Sequence, residues 1–249
     1  MKLGSLKEGG RDGTLIVVSR DLRQGVRATG IAATLQAALE DWSHLAPRLN
    51  ALYESLNDGS ADGVFDIDLQ ALAAPLPRAY EFVDGSAYLP HVERVRRARG
   101  AEVPESFYTD PLMYQATSAG FHGPRDAVKV VSEEYGIDLE AELVVITDDV
   151  PMAVTPEQAA GHIQLVAHAA KTRPLGAATI VGSGTIANED TSKGASCFAE
   201  QRTVETLRDG KPSTPFMSFG DVVRIEMFDA AGESIFGAIE QRIEQAARP

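Results

Sequence analysis

The order of apolar and polar positions divides the chain into short strands and a few helices. Thr14-Leu-Ile-Val-Val-Ser19 reads as a strand. Leu35, Leu39 and Trp42 recur at helical spacing, and Leu45, Leu49 and Leu52 repeat the pattern after a shift. Pro47 lies between them and is expected to start the second helix, because proline is tolerated in a first turn and breaks an interior. Asp58-Gly59 and Asp62-Gly63 mark turns. Phe65, Ile67 and Leu69 alternate with Asp66 and Asp68, as in a strand with one wet face. Pro75 and Pro77 form a linker. The expected boundary falls near Ala73, between an N-terminal module (1–73) and a second domain (74–249).

Beyond the linker the chain is richer in loops and short strands. Gly136 to Ile146 reads as a strand, with Leu139, Ala141, Leu143 and Val145 on one face and Asp138, Glu140 and Glu142 on the other. Its end, Leu143-Val-Val-Ile146, is apolar on both faces and is expected to enter a core. Val222 to Phe228 alternates, Asp229 to Glu233 is a turn, and Ser234 to Ile239 is the expected returning strand of a hairpin. Thr155-Pro-Glu-Gln158 has the form of a helix start, with a helix expected to run through Ile163, Val166 and Ala170 to about Thr172. There is no internal repeat and no low-complexity tract.

Composition narrows the classes. A chain of 249 residues, 44% hydrophobic and 24% charged, is ordinary for a globular protein with one good-sized core or a core plus a small module. The net charge of −13 argues against nucleic acid or an anionic membrane as partner, since phosphate binding needs surplus Lys and Arg. The single cysteine, Cys197, excludes an intramolecular disulfide and fits a reducing compartment. Neither a signal-peptide pattern nor a bilayer-length apolar run is evident, so the cytoplasm is the expected location.

Two carboxylates two residues apart on one strand face lie roughly 7 Å from each other and repel unless a cation or water intervenes. The Glu140/Glu142 pair therefore suits a hard divalent ion, Mg²⁺ or Ca²⁺, with a solvated strand end as the ordinary alternative. Two further segments matter beside it. Asp84 stands seven residues before His91, and Val181-Gly-Ser-Gly-Thr-Ile-Ala-Asn-Glu-Asp190 leads to Ser196-Cys-Phe-Ala-Glu200, Thr214-Pro-Phe216 and Gly220-Asp-Val-Val-Arg-Ile-Glu226. In this order the motifs resemble the fumarylacetoacetate hydrolase family from about Arg78 to Ile243, and residues 1–70 resemble the N-terminal module of its bacterial members.

The resemblance implies an α+β, β-rich fold, a β-roll with a small N-terminal α/β module. It also implies an enzyme that cleaves or rearranges carbon–carbon bonds in a small 2,4-dioxo acid, and a homodimer. It further implies Asp84, Glu140 and Glu142 as ligands of Mg²⁺ or Ca²⁺, with Mn²⁺ as a further candidate. His91 matches the general base and Glu200 the acid that orients it, while Tyr114 and Thr185 match positions that hold substrate oxygens. A β-diketone chelates a hard cation that stabilises the departing enolate, and a neutral imidazole can take a proton from the attacking water. By residue type alone each position has an ordinary reading. His91 could be a surface histidine, Asp84 a turn residue, Glu200 one more solvated acid and Tyr114 a core tyrosine. His44, His122, His162 and His168 lack zinc-ligand spacing, Arg94, Arg96, Arg97 and Arg99 read as a solvated helix face, and Cys197 reads as packing.

The chain also departs from the family pattern. Members usually carry several tens of residues between the helix after the Glu-x-Glu strand and the helix before Gly-Ser-Gly-Thr, including a third metal-binding aspartate, an arginine and a catalytic lysine. Here Thr155 to Ile163 and Gln164 to Arg173 resemble those two helices joined directly. The only Asn-Asp pair, Asn57-Asp58, lies in the N-terminal module, and Lys171 belongs to the later helix. A catalytically weak or silent homologue is therefore the alternative to a working hydrolase.

Overall fold

A computed structural model describes residues 1–159 and 164–247 and divides the chain into two compact units. The architecture is α+β and rich in short sheets, as expected. One unit comprises Met1–Tyr80, Ser118–Lys129 and the chain from Phe219 onward; the other comprises Glu81–Thr117 and Val130–Ser218.

In the first unit, β1 (Lys2–Leu6), β2 (Thr14–Val18), β3 (Gln24–Arg27) and β4 (Phe65–Asp66) form an antiparallel sheet in chain order. Every residue of β2 is buried, because it lies between two strands and beneath a helix. Two helices follow β3: α1 (Leu35–Leu39), capped by the Thr34 hydroxyl, and α2 (Trp42–Asp58). Pro47 lies inside α2 and does not start it. The helix begins earlier, where the Leu45 N–H already donates to the Asp41 carbonyl at 3.0 Å. Pro47 therefore forgoes one bond, to Ser43, and both residues are exposed, so the freed carbonyl can be hydrated. Burial of Leu49, Tyr53 and Leu56 along one face holds the helix together past the proline. The strand expected through Leu69 stops at Asp66. The Asp68 carboxylate accepts from the Gln70 N–H at 2.9 Å and turns Leu69–Ala71 into a 3₁₀ turn.

The later strands are β5 (Glu81–Gly85), β6 (Met113–Ala116), β7 (Val128–Val130), β8 (Val144–Ile146) and β9 (Thr179–Gly182). A terminal hairpin adds β10 (Val222–Ile225) and β11 (Ile239–Gln245). The remaining helices are α3 (Leu89–Ala98), α4 (Gln164–Ala169) and α5 (Phe198–Asp209). β10, β11 and β7 form one sheet in that order. The return begins at Ser234 as expected, with a bridge to Phe228 and the Ile235 N–H donating to the Met227 carbonyl at 2.9 Å, but the continuous strand starts only at Ile239. The Asp229 carboxylate gathers the Ala231 and Glu233 N–H groups, and the left-handed Gly237 (φ 81°) bends the chain before pairing resumes.

The second unit is built on the sheet β6-β5-β9-β8, in which β5 and β9 run parallel and the outer pairs antiparallel. Val83 and Val181 turn toward a core shared with Val150, Val166, Ala170 and Leu175. The strand expected over Gly136–Ile146 exists only as Val144–Ile146. Upstream, Ala141 donates to the Ser196 carbonyl and accepts from the Ile186 N–H, both at 3.1 Å, so loops rather than a strand satisfy its backbone. Because β8 is an edge strand, Leu143 and Val144 are exposed, contrary to the expectation of a buried run, and Val145 packs on the core. Thr155 and Gln158 form the expected reciprocal cap, Thr155 N–H to Gln158 Oε1 at 3.0 Å and Gln158 N–H to Thr155 Oγ1 at 3.4 Å. Turns follow through Ala159, and α4 ends at Ala169, short of Thr172. The expected continuity through Ile163-Gln164 lies outside the described residues. Among the described residues no helix is long and apolar enough to cross a membrane.

Candidate active site

Strand register assembles the site. Asp84, near the end of β5, is paired with Tyr114 on β6 and Gly182 on β9. Its side chain is buried, 4% exposed, and accepts a hydrogen bond from the Tyr114 hydroxyl at Oδ2 (2.7 Å). The Gly184 N–H donates at 3.1 Å to both Asp84 Oδ1 and Glu142 Oε2. The glycine-rich turn is thus explained by packing. A Cβ on Gly182 would stand 2.5 Å from Asp84 Oδ1, and one on Gly184 (φ 76°) would collide with the Gly85 carbonyl.

Asp84, Glu140 and Glu142 offer carboxylate oxygens that all lie within 4.8 Å of one another. Burial, then Asp84 and Glu140, push the Glu142 carboxyl up to about 8, so a proton relieves the repulsion that a cation would relieve. An all-oxygen donor set bearing up to three negative charges fits a hard divalent cation. The hydrogen bond to the Asp84 carboxylate, then burial, raise the Tyr114 phenol well above its ordinary range, so its hydroxyl remains a donor. Tyr114 is half exposed at the mouth and is not a core tyrosine.

The other half of the site spans two helices. His91 lies in the first turn of α3, which Pro90 helps to start, and Glu200 lies in the first turn of α5. The Asp138 carboxylate caps α5, accepting from the Phe198 and Ala199 N–H groups, both at 2.7 Å, and the Cys197 sulfur accepts from the Glu200 N–H at 3.3 Å. Glu200, 1% exposed, meets His91 Nδ1 with Oε2 at 3.0 Å and Arg94 Nη1 with Oε1 at 2.5 Å. Burial would raise the Glu200 carboxyl, but the hydrogen bonds from His91 and Arg94 outweigh it and hold it below the usual carboxylate range. With Nδ1 engaged by an ionised carboxylate, His91 is set to present Nε2 as its free nitrogen.

A cleft of about 70 Å³ joins the two halves, lined by Asp84, Ser86, Tyr88, His91, Tyr114, Glu140 and Thr185 among others. All seven residues expected at a site are therefore placed around it: five line the cleft, Glu142 sits beside Asp84 and Glu200 stands behind His91. Arg94 does not belong to a solvated face, contrary to the expectation from its sequence. It lies one turn after His91, its side chain is 13% exposed, and its second nitrogen donates to the carbonyls of Asn188 and Glu189. The i, i+3 spacing from His91 was the available signal. Cys197 is buried and burial pushes its thiol up to about 11, in keeping with a packing and capping role. A larger cleft in the first unit, about 310 Å³, is lined by Lys7, Glu8, Arg27, Phe65, Asp66 and Asp68, and its two cations are engaged in the pairs Arg27–Glu8 and Lys7–Asp126.

The chain matches the family model for fumarylacetoacetase N-terminal domain 2 over residues 1–78 and that for the fumarylacetoacetate hydrolase C-terminal region over residues 81–166. Among solved structures the chain is similar to maleylpyruvate hydrolase from Sphingobium sp. SYK-6 in complex with manganese(II) and pyruvate. That match has a TM-score of 0.59 at 13% identity and covers 99% of this chain and 100% of the other. At that identity the likeness is one of fold. No curated protein matches the chain by sequence.

Proposed function

Since the chain belongs to the fumarylacetoacetate hydrolase family, we propose that it is a divalent-metal-dependent hydrolase that cleaves a carbon–carbon bond in a small 2,4-dioxo acid. The observation that carries this reading is the meeting, around one cleft, of a three-carboxylate cluster and a His–Glu pair. Asp84, Glu140 and Glu142 would hold the cation. When bound, it supplies Lewis-acid stabilisation of negative charge developing on a substrate oxygen. Mg²⁺ and Ca²⁺ suit the all-oxygen donors, and the manganese in the similar structure supports Mn²⁺ as well.

The protein's own groups do the rest. Glu200 accepts from His91 Nδ1–H and fixes the tautomer, so Nε2 can take a proton from water. The resulting hydroxide adds to one carbonyl carbon, the bond from that carbon to the neighbouring methylene breaks, and the released carbanion takes up the proton from His91. Tyr114 and Thr185 line the cleft and orient substrate oxygens. The protein would work as a cytoplasmic homodimer on a small dioxo acid, without nucleic acid or membrane.

One observation favours a second reading, a metal-binding homologue with little turnover. Among the described residues no Lys or Arg lines the cleft, and Lys171 is engaged with Asp110 at 3.1 Å. Losing one electrostatic stabiliser of a developing anion typically costs on the order of 10²–10³ in rate. Thermal melts with Mn²⁺, Mg²⁺ and Ca²⁺, paired with loss of the dioxo-acid chromophore, separate the readings. Stabilisation with turnover supports the hydrolase, stabilisation alone supports the silent homologue, and neither would remove both.

A further inference from the structure

Arg94 makes more demanding contacts than its place in an arginine-rich helix suggests. Its guanidinium joins three elements: its own helix α3, Glu200 on α5 through Oε1, and the carbonyls of Asn188 and Glu189 in the loop that follows Thr185. A buried carboxylate is costly unless paired. Glu200 has two oxygens and two partners, so its charge is divided between a permanent cation and a titratable ring.

We infer that Arg94 is a positioning residue for the general base, holding the charge of Glu200 so that His91 stays a neutral acceptor, and tying the loop that carries Thr185 to the same carboxylate. Without Arg94, the only cationic partner left to Glu200 among the described residues would be His91 itself. The His91–Glu200 pair would then hold its shared proton more tightly, either on the ring or on the carboxyl, leaving less of the free base at a given pH. The other groups around the pair do not replace the guanidinium. Cys197 is a neutral thiol on the α5 side, and Asp84, Asp138 and Glu140 are acids whose fields further favour proton uptake. Tyr88 and Tyr114 bring no positive charge.

This inference rests on His91 acting as the base, but one arm of its test does not depend on turnover. The ring signals of His91, identified by their loss in His91→Asn, are followed by NMR against pH in the metal-free native protein and in Arg94→Met, Arg94→Gln and Arg94→Lys, each first checked for a native melt. Arg94→Met and Arg94→Gln should move the midpoint upward by roughly one pH unit, about tenfold in the protonation equilibrium, and Arg94→Lys should return most of that shift. An unchanged or lowered midpoint in the folded variants would overturn the inference, because an arginine that only packs the helices would let His91 drift from Glu200. If Arg94→Met does not fold, the Gln and Lys variants decide. The second arm is the pH profile of kcat, whose acidic limb should move with the NMR midpoint while KM holds. Absence of turnover in the native protein would count against the proposed hydrolase and leave the NMR arm to judge Arg94.

Discussion

At the proposed metal site, proton and cation would compete for Glu142, and the size of that competition follows from the structure. Burial and the neighbouring Asp84 and Glu140 raise its carboxyl from 4.5 to about 8. A cation must displace that proton at any pH below about 8, so apparent affinity should fall with acidity. At about pH 7 the carboxyl is ionised in roughly one molecule in ten, and at about pH 6 in roughly one in a hundred, so the dissociation constant for Mn²⁺ should be weaker by about 100-fold at pH 6 than well above pH 8. Folding stability carries the opposite mark. A carboxyl raised on folding contributes stability that is fully present below about 4.5 and lost as pH rises through about 8. The metal-free protein should therefore melt lower as pH climbs across that window, while the increment in Tm given by Mn²⁺ grows. Calorimetric titration of Mn²⁺ at about pH 6, 7 and 8 reads the first effect, and melts with and without metal read the second. Glu142→Gln should bind more weakly and lose most of the slope. An affinity that changes less than about threefold over the range, or a slope that survives Glu142→Gln, would refute the reasoning.

Three further outcomes are expected. Glu140→Gln combined with Glu142→Gln should abolish ion-dependent thermal stabilisation, and unchanged stabilisation would place any metal elsewhere. Gly182→Ala would bring a methyl 2.5 Å from Asp84 Oδ1; it should weaken Mn²⁺ binding by at least about tenfold through displacement of Asp84, read by the same titration. Leu175, 1% exposed in the core under β5 and β9, should cost about 2–5 kcal/mol of stability on change to Ala, measured by urea unfolding.

Local chemistry was legible in the sequence where its partners are near. The β2 run, the turns at Gly59 and Gly63, and the Thr155/Gln158 cap are decided within a few residues, and each was foreseen. The long alternation from Gly136 misled because alternation records sidedness and says nothing about which backbone will pair. Asp138 is diverted to cap α5 and Ala141 to bridge two loops, leaving a strand only from Val144. Arg94 was opaque for a related reason, since its carboxylate partner lies 106 residues away. Glu205 shows the same limit. It is 3% exposed, and hydrogen bonds from Thr214, Gln201 and Ser213 hold its carboxyl far below the usual range, yet nothing in its local pattern distinguishes it from a surface acid. Grouping Asp84 with Glu140 and Glu142 depended on family resemblance, because residues so distant in sequence are brought together by sheet topology alone.

The register of β6, β5 and β9 ties the site to the core. Asp84 faces Tyr114 across one strand boundary and Gly182 across the other. A slip of one residue in β5 would turn Asp84 to the opposite face and break both relations at once. Pairing errors there would be lethal to chemistry and core together, since Val83 faces the other way in the same strand. The ladder therefore makes the placement of Asp84 and the packing of Val83 a single condition, met or lost together.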